Sequence, residues 1–544
     1  MPNRRTVIST SLGALAATPV ASAVARTEGE PVAETASGKV RGVASDGVLG
    51  FKGIPYGAST AGANRFRPPR KPEPWAGVRD AIVYAGRSPQ APGAAQRPEL
   101  ANVWGPIDML PVGEDCLTLH VWTPALDNAK RPVMVWLHGG AFSYGSANSP
   151  RYDSSRLARR NDVVVVAVNH RLNIFGHLDL SALGDERFAQ SGNAGILDLV
   201  LALEWVREHP ARFGGDPGNV TIFGQSGGGG KVSALLAMPA AKGLFHKAIV
   251  QSGASVRFAE RERTTRLAEA VLKQLELGPK QLDALQALPL ARLQEAVVPA
   301  QKALPRPRQP LLDRYNFGPV IDGRVLPAHP FDPAASAVSD DIPILVGGTR
   351  DESAIFLAPD DAVWNRTLGE EELRKRIAAV AGEATDSLLA FYKRSNPGAT
   401  PADLLITGLS ASNFHVRSIL LAERKATRAK APVWMYRFDW QTPAFGGWLK
   451  APHSVEVPFV FDTLAVIGEA HRKLHAQDLA DSVSATWAAF ARTGDPSNKS
   501  IPPWPAYAAD NNDKRVTMLF NDECTGVADP DGEVRPLWSK IATA

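Results

Sequence analysis

Apolar residues along this chain come in two rhythms. Val133–Leu137, Val163–Val168, Val220–Phe223, Ala248–Val250 and Pro343–Val346 are short unbroken runs, the pattern of strands covered on both faces. Ala194–Glu208 instead spaces Ile196, Leu199, Val200, Leu203 and Val206 as one face of a helix. Strand and helix in alternation predict an α/β fold with a large, mostly parallel central sheet flanked by crossover helices. Residues 32–57 break short apolar runs with glycine-containing turns, which predicts N-terminal hairpins. Val433–Trp440 resumes the strand pattern, and Ala480–Arg492 predicts the last long helix.

Two blocks depart from this alternation. Residues 257–303 are helical and amphipathic, with Leu267, Val271, Leu272 and Leu275 on one face. A connector rich in proline and arginine follows (Pro305-Arg306-Pro307-Arg308-Gln309-Pro310), and residues 369–429 form a second helical block. Both are expected to be insertions that cover the sheet edge and wall a pocket; an independent second domain is the alternative. No internal repeat is visible.

The first 25 residues read differently from the rest. Arg4-Arg5 precedes an alanine-rich apolar stretch that ends in Ala21-Ser22-Ala23 and Ala23-Val24-Ala25, two A-x-A cleavage sites. The paired arginines with Thr6-Val7-Ile8 resemble a twin-arginine export signal, so a periplasmic or secreted protein is expected. The stretch is too short and too rich in Ser and Thr for a membrane span. Residues 26–544 are then expected to be one catalytic domain.

Composition narrows the partners. A formal net charge of +4 on 544 residues, without a long Lys/Arg run, argues against nucleic acid. With two cysteines, Cys116 and Cys524, neither a disulfide framework nor a cysteine-based metal cluster is expected. Nothing in the pattern specifies an oligomeric state.

The chemistry concentrates at residues 213–230, FGGDPGNVTIFGQSGGGG. The Val220–Phe223 run stops at Gly224-Gln225-Ser226-Gly227-Gly228, which fits G-x-S-x-G, and a helical pattern follows. A serine on a sharp strand-to-helix turn projects its hydroxyl above the sheet, with the next N–H at a helix N-terminus. A serine nucleophile needs a base, and the base needs a carboxylate to hold its tautomer. After the strand at 344–346 comes Gly347-Gly348-Thr349-Arg350-Asp351-Glu352, where either Asp351 or Glu352 could serve. Four histidines lie downstream. His415 sits in a helical pattern, and His471 and His475 in a polar stretch, whereas His453 follows the 433–440 strand on a loop and is the candidate base. Leu137-His138-Gly139-Gly140 closes another strand, so Gly139 and Gly140 can form one half of an oxyanion hole, with the Gly227 N–H as the other.

Taken together these segments resemble the type-B carboxylesterase family, which includes the cholinesterases. Phe51-Lys52-Gly53-Ile54-Pro55-Tyr56, Arg65-Phe66-Arg67-Pro68-Pro69, Glu114-Asp115-Cys116-Leu117, Asn193-Ala194-Gly195, Phe213-Gly214-Gly215-Asp216-Pro217, Gln251-Ser252-Gly253, Pro458-Phe459-Val460-Phe461 and Thr493-Gly494-Asp495-Pro496 are similar to its blocks, in order. The resemblance implies an α/β-hydrolase fold with a gorge leading to the serine. It also implies Glu352 as the acid and Ser252 as support for that carboxylate. Three departures stand out. Gln225 replaces the family's usual glutamate, Gly227 its alanine, and the upstream partner of Cys116 is missing, the region reading Gly86-Arg87-Ser88-Pro89-Gln90. The four-glycine run suggests a pliable turn, Cys116 is expected to be a free buried thiol, and Trp104 is a candidate for the gorge rim.

The expected activity is hydrolysis of small-molecule carboxylic esters through an acyl-enzyme, without metal or organic cofactor. Amide or carbamate cleavage uses the same triad and stays open, as does a non-catalytic binding protein on the same fold.

Overall fold

The computed structural model describes residues 30–90, 100, 103, 108, 110–305, 317–428, 430–467, 473 and 475–543. The export signal, Trp104, the connector at 306–310 and His471 lie outside the described residues.

The first strands form the expected hairpins. β1 (Val32–Thr35) pairs antiparallel with β2 (Gly38–Arg41), and β3 (Val43–Ser45) with β4 (Val48–Pro55). β5 (Val78–Asp80) completes a small sheet beside β2. β6 (Thr118–Thr123), β7 (Arg131–Leu137), β8 (Val164–Val168), β9 (Gly215–Gln225) and β10 (Lys247–Gln251) then enter the main sheet. β11 (Ala259–Glu260) and β12 (Val320–Ile321) pair only with each other, and β13 (Ile344–Thr349), β14 (Val433–Phe438), β15 (Val516–Phe520) and β16 (Thr525–Ala528) finish the main sheet.

Its order is β16-β15-β14-β13-β10-β9-β7-β8-β6-β4-β3, eleven strands. The block from β15 through β8 is parallel, and the pairings at either end are antiparallel. Successive side chains go to opposite faces of a strand, and here each face has its own core. Val133, Val135, Leu137, Val220, Ile222, Ala248, Val250, Ile344 and Val346 pack on one side. Met134, Trp136, Phe223, Ile249 and Leu345 pack on the other. Burial on both faces explains why these strands read as continuous apolar runs.

The 257–303 block contains helices Arg261–Gln274, Leu282–Ala287 and Leu290–Lys302. Their apolar stripe (Leu267, Val271, Leu272, Leu275) meets Phe66, Ile174, Phe175 and Phe188 in a third cluster. The 369–429 block contains Glu370–Ala381, Thr385–Ser395, Pro401–Ser410 and Val416–Arg428, the last two joined by a π turn at Ala411–His415. The continuous stretch Pro401–Arg428 is long and apolar enough to cross a membrane, but its most apolar window is 78% buried within the protein.

A parallel sheet aligns its carboxyl ends along one edge, where open α/β sheets bind ligands. Leu137 lies beside Gly224, Gln225 beside Gln251, Gln251 beside Gly347, and Thr349 beside Phe438. The residues following these positions include every predicted site residue.

Candidate active site

β9 ends at Gln225, and the helix Gly227–Leu235 begins two residues later. Ser226 makes the corner with φ 57° and ψ −124°, a backbone conformation that costs a non-glycine residue about 1–3 kcal/mol. Two bonds hold it: Ser226 N–H donates to the Gln251 carbonyl (2.8 Å), and Gly230 N–H donates to the Ser226 carbonyl (3.1 Å).

The glycines here are a packing requirement more than a source of pliability. A Cβ on Gly228 would stand 2.0 Å from the Leu137 carbonyl oxygen, and one on Gly227 would stand 2.0 Å from that of Ala141. The helix thus starts directly against the loop after β7. In that loop Gly140 adopts φ +91°. Asn173 N–H donates to the Phe142 carbonyl (2.7 Å), and the Asn173 side chain bonds the carbonyls of Pro89 and Ser143, which pins the loop from below. The N–H groups of Gly139, Gly140 and Gly227 donate to no acceptor among the described residues.

Of the two acids after β13, Glu352 meets the imidazole. Its Oε2 lies 2.5 Å from His453 Nδ1, and its Oε1 accepts the Thr349 N–H at 2.9 Å. Glu352 is fully buried, and burial pushes its pKa up. The adjacent His453, Ser252 and His415 outweigh that and hold it below the usual carboxylate range. The Ser252 hydroxyl faces this carboxylate without the alignment of a full hydrogen bond. Asp351 turns to the loop that carries the base. Its N–H donates to the Ala451 carbonyl (2.9 Å), and its carboxylate accepts the Ala451 N–H (3.2 Å) and an Arg350 bond (2.9 Å).

His453 is sandwiched by Phe356 and Phe414, with ring centroids 5.1 and 5.0 Å away. Its Nε2 lies 3.3 Å from the side-chain nitrogen of Gln225. His415, expected as a surface or helix histidine, lies in the helical stretch at the end of the π turn and is half-buried. Its Nε2 lies 2.9 Å from the Thr349 carbonyl oxygen, at the end of β13. His475 is exposed beside Asp478, as expected.

Several buried groups at the site escape a reading of sequence. Glu456, three residues after His453, is fully buried, and burial with the nearby Glu352 charge raises its pKa to about 8. It receives a 3.4 Å bond from Gln251, whose amide oxygen in turn accepts Trp487 Nε1–H. Lys231 is buried beneath the loop after β7, with Nζ donating to the His138 carbonyl at 2.8 Å and its pKa pushed well down by burial. His138 and His170 stack beside it at 4.7 Å. Spacing gives no signal for these groups, although Glu456 sits within the block His453–Phe461.

Cys116 is a buried free thiol, as expected. Burial, aided by the Asp198 charge, pushes it up to about 12, and a hydrogen bond with Ser88 pulls the other way. No group of His, Cys, Asp or Glu suited to a metal ion occurs among the described residues.

Ser226 opens into a cavity of about 420 Å³ that is also lined by Gly227, Phe142, Phe258 and Phe414. A serine at a strained strand-to-helix corner, a buried carboxylate–imidazole pair and free N–H groups at one sheet edge have the layout of an acyl-transfer site.

Comparison with known proteins agrees. The family model described as the carboxylesterase family matches residues 29–530. A para-nitrobenzyl esterase of Bacillus subtilis (strain 168) is 37% identical over 521 residues, covering 93% of this chain and 97% of the relative. A phenmedipham hydrolase of Pseudarthrobacter oxydans is 34% identical over 523 residues, covering 92% and 96%. Among solved structures, a carboxylesterase of Geobacillus stearothermophilus superposes with a TM-score of 0.80 at 37% identity, covering 93% of this chain and 99% of that one. The chain belongs to the carboxylesterase family, and is a serine-type carboxylic ester hydrolase with the α/β-hydrolase fold.

Proposed function

We propose that Ser226, His453 and Glu352 act as the catalytic triad of this esterase. The 2.5 Å contact between His453 Nδ1 and Glu352 carries the reading, because it leaves Nε2 as the proton acceptor at the edge where Ser226 stands. Ser226 attacks the ester carbonyl as His453 takes its proton. Gly139, Gly140 and Gly227 offer their free N–H groups to the oxyanion, where each donor is worth on the order of 10²–10³ in rate. His453 passes the proton to the departing alcohol, and water then hydrolyses the acyl-enzyme by the same route. Ser252 supports the Glu352 carboxylate electrostatically, while Gln225 stands beside His453 Nε2 on the serine side.

The test is p-nitrophenyl acetate hydrolysis by wild type and Ser226→Ala, with peptide mapping of a fluorophosphonate adduct. The variant should lose at least about 10³-fold, and the adduct should lie on Ser226. Equal slow hydrolysis by both proteins would end the triad reading.

The proposal extends to the whole chain. Residues 26–544 make up the catalytic domain, with insertions at 257–303 and 369–429. The first 25 residues direct export to the periplasm or beyond as a twin-arginine signal. Arg4-Arg5 supports this, as does the start of the family match at residue 29. Arg4→Lys/Arg5→Lys should retain the enzyme in the cytoplasmic fraction of a bacterial host.

A further inference from the structure

Lys231 is buried without an acid to pair with. It lies on the helix Gly227–Leu235, five residues after Ser226, and is 0% exposed. Among the described residues no carboxylate forms an ion pair with it, and its one hydrogen bond runs from Nζ to the His138 carbonyl at 2.8 Å. Its surroundings are imidazoles and a phenyl ring. His138 and His170 stack at 4.7 Å, the Phe142 centroid lies 5.7 Å from Nζ, and His177 meets Phe142 edge-on. Burial holds the side chain as the neutral amine, which still donates. An apolar side chain of similar length would be easier to bury. What the amine adds is the bond to His138.

That bond fixes the direction of a peptide. The peptide bonds of the loop after β7 are trans, with C=O and N–H on opposite sides. Lys231 holds the His138 carbonyl, so the Gly139 N–H points away from the lysine. The Gly139 carbonyl accepts from His138 Nδ1 at 2.8 Å, and the Gly140 carbonyl accepts the N–H groups of Ser143 (3.2 Å) and Tyr144 (3.1 Å). Three successive carbonyls are thus held, while the N–H groups of Gly139 and Gly140 donate to no acceptor among the described residues. The loop also stands close to the nucleophile, since a Cβ on Gly139 would lie 3.5 Å from Ser226 Cβ. Of the donors that hold these carbonyls, Lys231 is the one on the helix that follows Ser226.

Resting on the reading of Ser226 as nucleophile and of Gly139 and Gly140 as oxyanion donors, we propose that Lys231 is a positioning residue for the reaction. Through the His138 carbonyl it sets those donors at a fixed distance from the Ser226 hydroxyl. It does not line the cavity and touches neither substrate nor reacting atoms. Its effect therefore falls on the transition state, where the donors are used, and little on substrate binding.

The test pairs Lys231→Met with Lys231→Gln, side chains of equal length of which only the second keeps a donor. With p-nitrophenyl acetate, Lys231→Met should lose kcat by about 10–10²-fold, with KM within about threefold of wild type. Its melting midpoint should equal or exceed that of wild type, because a buried amine is gone. Lys231→Gln should recover part of kcat. An aryl trifluoromethyl ketone, which forms a tetrahedral adduct on a serine nucleophile, should bind Lys231→Met more weakly by the same factor as the loss in kcat/KM. Wild-type kcat in Lys231→Met would overturn the proposal. So would a failure of that variant to fold, since the amine would then serve the fold itself, or a kcat loss that ketone binding does not follow. In each of these cases Ser226→Ala stays inactive. Equal hydrolysis by wild type and Ser226→Ala would instead remove the nucleophile reading on which the proposal rests.

Discussion

The side-chain nitrogen of Gln225 lies 3.3 Å from Nε2 of His453, the ring nitrogen opposite the one paired with Glu352. A neutral amide there leaves Glu352 as the carboxylate paired with the imidazole. Relatives with glutamate at this position would add a second negative charge. Gln225→Glu should therefore favour the imidazolium and move the acid limb of kcat/KM up by about one pH unit. A profile superimposable on that of wild type would rule this account out.

Glu352 and Asp351 are adjacent yet have different tasks, so their substitutions should separate cleanly. Glu352→Gln should lower kcat by about 10⁴ with little change in the unfolding midpoint, as for loss of a triad acid. Asp351→Asn weakens the bonds that carry the Ala451 loop, and should lower the midpoint with kcat within about tenfold of wild type. Steady-state kinetics and thermal melts on both variants check the assignment, and a reversed pattern would exchange the roles.

Glu456 makes stability depend on pH. Its folded-state value of about 8 lies above the value of about 4.3 for an unfolded glutamate. The folded protein keeps this proton through that window while the unfolded chain releases it. The contribution of Glu456 to stability is therefore full below about pH 4.3, falls as pH rises and levels off above about pH 8. Glu456→Gln should gain on wild type between about pH 5 and pH 9 in urea unfolding. An equal difference at both pH values would show that Glu456 is ionised in the folded state.

Gly227→Ala restores the residue usual in the family, but here the new Cβ would stand 2.0 Å from the Ala141 carbonyl oxygen. Relief requires the oxyanion loop to move, and displacing one donor should cost kcat on the order of 10². Unchanged kcat would mean that the loop yields without disturbing the hole.

The sheet was legible because its strands are buried on both faces, which turns Val133–Leu137 or Ile344–Val346 into continuous apolar runs. β16, an edge strand with exposed Thr525, Gly526 and Ala528, has no such run, whereas β15 carries the mostly apolar Val516-Thr517-Met518-Leu519-Phe520 and still lies outside the strands expected from the sequence. Ser226 could be read because its corner needs small residues around it. Choosing Glu352 over Asp351 could not be done from the residues themselves, since adjacent carboxylates differ only in the directions the turn gives them. The resemblance pointed to the one that meets His453. Glu456 and Lys231 were invisible for a common reason. A polar residue has the same letter whether water or protein surrounds it, and only packing from distant segments makes it buried.

Cys116 and Cys524, both thiols, have a consequence for biogenesis. No step of folding waits for an oxidant, and no shuffling catalyst is needed to correct pairings. The chain can reach its active form in a reducing cytosol, which suits an export route that carries proteins already folded. Enzyme made with or without a thiol reductant should be the same molecule.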